Sequence, residues 1–362
     1  MRAARRTSSR CQASKTSTTL TSGALQAKAV KSRAVKSRAL GPIGFAAVVA
    51  LMLAGCGAGS EGRALEPAEE EPGHDSGTIE VTDNHGTIEV PRNPERVVAL
   101  DNLTAQTLSD WDVDVVAAPK QLFRLWPEYS EDPDILDVGT HREPHLESIV
   151  AADADLIVTG GRFGAHYEEL VDLNPAVVDL TVRAEEDHTD ELIRQTEVLG
   201  QIFDRQDEAA ALVQEFEDSI EAAQVAYEDD QTVLGLITSG GQILYAAPRE
   251  GRSVGALFPT LDLQPAIEVE AGDETHGDDI SVELIAEADP DWMIVLDRDA
   301  LFDEDDYVSS RELIADSPAL AHVTAVAEGQ IIYLPGHFYM TEGIHAYTEL
   351  YNDVAGAFGT AN

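Results

Sequence analysis

Short apolar runs alternate with helical patterns along most of the chain. Runs at 96–100, 113–117, 156–158 and 176–180 fall in the first half, and others at 232–238, 292–296 and 330–334 in the second. Continuous apolar runs of this length, bounded by turn residues, predict strands buried on both faces, and their alternation with helical periods predicts an α/β fold. Upstream, Thr78-Ile-Glu-Val and Thr87-Ile-Glu-Val flank Asp83-Asn84-His85-Gly86, which is hairpin chemistry. The rhythm breaks once. Leu192, Ile193, Thr196, Leu199 and Ile202, then Ala209, Leu212, Val213, Phe216, Ile220 and Ala223, recur at helical spacing with no strand between. This predicts one helix closing a first lobe, a long helix crossing to a second, and a last helix from about Ile344 to Phe358.

One pattern is written twice, 136 residues apart. Glu147-Ser-Ile-Val-Ala-Ala-Asp153-Ala-Asp155-Leu-Ile-Val-Thr-Gly-Gly-Arg162 is matched by Glu283-Leu-Ile-Ala-Glu-Ala-Asp289-Pro-Asp291-Trp-Met-Ile-Val-Leu-Asp-Arg298, with Glu, Ile, Ala, Asp, Asp and Arg at the same offsets. Each copy predicts a helix end, an Asp-x-Asp turn and a buried strand. Ligands of open α/β sheets sit beyond the carboxyl ends of the strands, so each arginine is expected at the mouth of its own lobe, facing a shared cleft.

The first 56 residues form a separate object. They hold 10 of the 24 basic residues and no acid, then a largely apolar stretch from Leu40 to Ala54. That order predicts a secretory signal, too short and wrongly flanked for a membrane span. Leu53-Ala54-Gly55-Cys56 resembles the lipobox of bacterial lipoproteins, in which the cysteine (here Cys56) becomes the lipidated first residue. The alternative is an ordinary signal in which the cysteine is incidental. Both cysteines of the chain, Cys11 and Cys56, lie in this segment, so the mature chain is expected to have no disulfide, thiolate metal site or cysteine nucleophile. Residues 56–76, rich in Gly, Ser, Pro and Glu, are expected to be a flexible acidic tether.

Beyond residue 56 stand 14 basic side chains against 67 acids, a net charge of −53. This argues against nucleic acid or an anionic membrane surface as partner, since both need basic footprints. Among so few cations, Arg162, Arg252 and Arg298 stand out because each sits where a loop leaves a strand or follows a glycine. Three guanidinium forks around one cleft suit a polyanionic, planar ligand. The alternative is that each pairs with a neighbouring acid. Gly251-Arg252-Ser253-Val254-Gly255 also matches the nucleophile elbow of serine hydrolases, but Pro248 is a poor residue for the strand entering it, and no glycine-rich oxyanion segment precedes it.

These residues resemble a known family, the substrate-binding lipoproteins of iron-siderophore ABC importers. The resemblance spans about residues 77 to 360. It rests on Gly86-Thr-Ile-Glu-Val-Pro91, Asn93-Pro94-Glu-Arg96-Val-Val-Ala-Leu-Asp101, the two repeats, His276-Gly277 and Ile331-Ile-Tyr-Leu334. It implies a class III periplasmic binding protein fold, with two Rossmann-like α/β lobes joined by a single long helix. The expected boundaries are a signal over 1–55, a tether over 56–76, a first lobe over 77–204, the connecting helix over 205–229 and a second lobe over 230–362.

Within the family the chain is most similar to the ferric-catecholate branch. The resemblance implies that Arg162, Arg252 and Arg298 form a basic tripod on the catecholate oxygens, and that His276 and Tyr339 bind iron when the siderophore leaves positions open. The tyrosine match needs a one-residue gap, which leaves His337 as a competitor. The resemblance further implies that Glu147 and Glu283 dock onto the permease. The expected protein is a monomeric, lipid-anchored, extracytoplasmic carrier with no intrinsic cofactor and no catalytic activity. Carriage of haem or a corrinoid, and an anchored serine hydrolase, are the alternatives.

Overall fold

The computed structural model describes residues 77–269, 272, 277–302 and 307–361. The chain enters through a hairpin, β1 (Thr78–Asp83) and β2 (Gly86–Pro91), paired antiparallel from Thr78↔Pro91 to Asp83↔Gly86. Its turn is fastened to the first lobe. Asn84 Nδ2 donates to the Thr181 carbonyl at 2.8 Å, and the Asp83 carboxylate accepts from the Asp179 backbone N–H at 3.0 Å.

The first lobe runs β3 (Val97–Ala99), α1 (Ala105–Asp110), β4 (Val115–Ala118), α2 (Pro127–Ser130) and β5 (Leu136–Asp137). A small hairpin of β6 (Gly139–Thr140) and β7 (Glu143–Pro144) follows, then α3 (Leu146–Ala151), β8 (Leu156–Thr159), a 3₁₀ turn over Gly161–His166, α4 (Tyr167–Leu173), β9 (Val177–Asp179) and α5 (His188–Ile202). The main sheet is all parallel, in the order β5-β4-β3-β8-β9. Val97, Val98 and Ala99 are fully buried, as are Leu156 and Val158, which is why these runs lack polar alternation.

The crossing helix α6 spans Gln206–Ala226. It is separated from α5 by a break at Asp204, whose φ of 56° is left-handed. The second lobe runs β10 (Thr232–Ser239), β11 (Gln242–Tyr245), α7 (Leu257–Leu261), β12 (Gln264–Pro265), β13 (Asp278–Asp279), α8 (Val282–Ala288) and β14 (Trp292–Asp297). It ends with α9 (Ser310–Ala315), α10 (Thr324–Glu328), β15 (Ile331–Tyr333), α11 (Phe338–Thr341) and α12 (Ile344–Ala361). Its sheet has the order β13-β11-β10-β14-β15, with β12 also beside β10. The hydrophobic runs foretold the α/β architecture, with two lobes and one long crossing helix. They did not show that β11 and β13 run antiparallel to their neighbours. The cause is local: Gly240 and Gly241 have φ of 57° and 72°, so β10 turns back on itself through two residues with positive φ instead of crossing over.

The duplicated pattern builds the same joint in each lobe. Asp153 and Asp289, the first aspartates, end their helices in the left-handed conformation, at φ 47° and 45°. The second aspartates tie the incoming strand to the central one. Asp155 Oδ2 accepts from the backbone N–H groups of Glu95 and Arg96, both at 3.1 Å, and Asp291 Oδ2 accepts from Thr232 N–H at 2.7 Å. These bonds align β3 with β8 (Val97↔Leu156) and β10 with β14 (Val233↔Trp292). The α12 helix then folds back along α6. Phe216 meets Tyr351 at 5.9 Å between centroids, while Phe358 packs on Tyr227 at 5.3 Å and on Trp292 at 4.8 Å. Burial of an aromatic ring contributes about 1.5–3 kcal/mol, so this column fixes the helices that set the spacing of the lobes.

Candidate functional site

Arg162 lies in the 3₁₀ turn after β8, and Arg298 follows β14 directly, its backbone N–H bonded to Thr238 O at 3.1 Å. Arg252 sits in the turn between β11 and α7, just before Ser253 at φ 62°. The three converge on one ring, that of Tyr339 in α11. Their guanidinium carbons lie 4.4 Å (Arg252), 5.3 Å (Arg298) and 5.4 Å (Arg162) from its centroid, inside the range of cation–π attraction. Tyr339 is 8% exposed. Burial alone would raise its pKa, but Arg252, Arg298 and Arg162 together outweigh that and hold the phenol below the usual tyrosine value. A field that draws the proton from a phenol also favours the ionised form of a catechol placed in it.

Each arginine is held differently. Arg162 Nη1 donates to Asn102 Oδ1 at 2.9 Å, and Asn102 Nδ2 donates to the Met340 carbonyl at 2.6 Å. Asn102 is 1% exposed and belongs to the first lobe, so one amide joins the first-lobe arginine to the second-lobe backbone beside Tyr339. Arg298 Nη1 donates to Ser239 Oγ at 2.7 Å and approaches Asp299 Oδ1 at 3.4 Å. Arg252 forks onto the buried carboxylate of Glu342, which also accepts from Ser253 Oγ. Arg252 thus has the acid partner that its surroundings allowed for. Arg162 Nη2 and Arg298 Nε are buried without an acceptor, and a buried donor left unpaired costs about 1–3 kcal/mol. An anionic ligand would remove that cost.

Asp101 lies among these groups, in the first lobe. It is 1% exposed; its Oδ1 accepts from Leu103 N–H at 3.2 Å and its Oδ2 has no partner. Burial, opposed by the Leu103 hydrogen bond and Arg162 and aided by Asp179, raises its pKa to about 7.

His337, the competitor of Tyr339, points to Glu349 at 3.7 Å, so Tyr339 is the one beneath the arginines. His276 and Cys56 lie outside the described residues. Glu147 and Glu283 are exposed in the first turns of α3 and α8, beside the exposed apolar residues Val150 and Leu284. At the Gly-x-Ser-x-Gly segment, β11 ends at Tyr245, well short of Gly251, and the Ser253 hydroxyl is bonded to a carboxylate. Among the described residues, no three His, Cys, Asp or Glu side chains gather as a metal site. Sequence reasoning missed Asn102 and Glu342, whose partners lie far along the chain, and the role of Asp101, whose burial no local pattern signals.

Comparison with known proteins bears on the same elements. The chain is 26% identical over 323 residues to the petrobactin-binding protein YclQ of Bacillus subtilis, covering 85% of this chain and 95% of YclQ. It is 28% identical over 260 residues to the ferric-anguibactin-binding protein FatB of Vibrio anguillarum, covering 71% and 79%. The crystal structure of YclQ superposes with a TM-score of 0.69 at 25% identity, covering 78% of this chain and 98% of YclQ. The siderophore-binding protein BauB, solved with two acinetobactin molecules and ferric iron, gives 0.68 at 25% identity over 78% and 98%. A family model described as periplasmic binding protein matches residues 97–337, from the first central strand through α6 to the edge of α11. Because that match spans both lobes and the helix between them, the chain belongs to the periplasmic binding protein family.

Proposed function

We propose that this protein captures a ferric siderophore of catecholate type between its lobes and hands it to the permease of an ABC importer, acting as a carrier and not as a catalyst. The observation that carries this reading is the set of three guanidinium groups around one buried tyrosine. The relatives named for petrobactin and ferric anguibactin support it. Iron is cargo here. Tyr339, with its lowered pKa, and His276 are the protein's own candidates for open iron positions, since phenolate and imidazole suit that metal. The charge of −53 does not oppose an anionic ligand. A guanidinium in a closed, low-dielectric cleft at about 4 Å contributes several kcal/mol, whereas carboxylates beyond a Debye length are screened.

Cys56 carries the membrane anchor in this reading, and Glu147 and Glu283 meet the permease. No helix among the described residues is long and apolar enough to cross a membrane. The test is equilibrium dialysis of the ferric complex of 2,3-dihydroxybenzoate against the wild type, Arg162→Ala and Arg298→Ala. Loss of a charge-assisted hydrogen bond is worth about 1.5–3 kcal/mol, so each variant should bind about ten- to a hundredfold more weakly. Equal affinity in all three would sink the proposal, as would tight binding of iron-free haem analogues with none of ferric catecholates. Replacing Glu147 and Glu283 by Ala should lower uptake and leave binding unchanged.

A further inference from the structure

We propose that Arg124 is a fourth anion-binding arm of this cleft, and that it takes an anionic group of the ligand lying outside the coordination shell of the metal. The inference rests on the siderophore reading and adds a requirement to it. Arg124 follows β4 as Arg162 follows β8, so both leave the carboxyl edge of the first sheet, on either side of β3. Its guanidinium carbon lies 5.1 Å from the ring centroid of Phe302. Phe302 belongs to the second lobe, four residues after Arg298, and its ring meets Tyr339 edge-on at 6.4 Å between centroids. Arg124 therefore reaches across the cleft and rests one ring further out than the three arginines on Tyr339.

Its donors distinguish it from the structural arginines. Arg96 donates to the carbonyls of Ala152 and Asp153, and Arg183 and Arg194 both grip Glu191. In Arg124, Nε and Nη2 are buried and have no acceptor among the described residues. A guanidinium whose buried Nε and Nη2 meet no acceptor among the described residues is open to an anion that a ligand brings. The face of Phe302 offers it cation–π attraction but satisfies no N–H, so an oxygen anion arriving beside that ring would satisfy the donors without moving the charge. A chelate filling the centre at Tyr339 meets Arg124 only if it bears such a group, a carboxylate for example, about one ring width beyond its metal-binding oxygens.

Two probes isolate that group. Ferric complexes of catechol and of 3,4-dihydroxybenzoate, both bound through catecholate oxygens, differ by a carboxylate on the far side of the ring from the metal. Arg124→Ala should weaken the dihydroxybenzoate complex by at least about tenfold and the catechol complex by less than about threefold, with Arg124→Lys in between. Arg162→Ala should weaken both. An equal change for the two probes, or no change, overturns the assignment. So does a fall in melting temperature with affinity intact, which would make Arg124 a structural residue. If the wild type binds neither probe while remaining folded, the siderophore reading fails and this inference with it.

Discussion

Replacing Asp101 by Asn should change how stability depends on pH, by an amount that follows from its burial. The carboxyl is 1% exposed, and its pKa stands at about 7 instead of the usual 3.8. Below about pH 4 the group is protonated in both the folded and the unfolded chain and makes no difference. Between about pH 4 and 7 the unfolded chain releases this proton while the folded chain keeps it, so stability falls with rising pH by about 1.4 kcal/mol per unit. Above the folded pKa the loss is complete, at about 4 kcal/mol. Asparagine has the shape of the protonated acid and does not titrate, so it escapes this loss. Urea unfolding of both proteins, followed by tryptophan fluorescence at constant salt from about pH 4 to about pH 8, gives the difference directly, and the other acids cancel. The difference should grow in favour of Asp101→Asn across the interval and then level off. A difference that stayed flat would refute the reasoning, even if the variant were uniformly more or less stable.

Two other predictions concern the second lobe. Glu342→Ala strips Arg252 of its buried counter-charge and should cost about 3–5 kcal/mol in urea unfolding, while Arg252→Ala combined with Glu342→Ala should cost less than the two single losses added together; strict additivity would mean that the fork does not couple the residues. In an ultraviolet pH titration one tyrosine should ionise ahead of Tyr129, Tyr307, Tyr347 and Tyr351, which burial pushes upward, and Tyr339→Phe should abolish that early step, whereas an unchanged titration would remove Tyr339 from the field of the arginines.

The elements were legible because burial on both faces writes itself as uninterrupted apolar runs, as at 156–158 and 292–296. The duplicated Asp-x-Asp was legible as a turn. That its second aspartate stitches two strands together was not, because Glu95 and Thr232 lie about sixty residues from Asp155 and Asp291. The same distance hid the site's supports. Glu342 is ninety residues from Arg252, and Asn102 reaches Met340 over 238 residues, separations at which no local period operates. Arg124 did leave a trace. It is one of only 14 cations after residue 56, and it lies a few residues beyond an apolar run, in the relation that singled out Arg162. The antiparallel edge of the second sheet was written in Gly240-Gly241, a glycine pair at the end of a strand-like run.

The Asn102 amide sits on the line between the two lobes. Arg162 and Asn102 both belong to the first lobe, and of the two bonds that the amide makes only the one to Met340 crosses to the second. Tyr339, Arg252 and Arg298 stand together on the other lobe. In the proposed capture the two lobes would therefore act unequally: the lobe of the tyrosine would offer an anion two guanidinium groups, and the other lobe would bring Arg162 as the third.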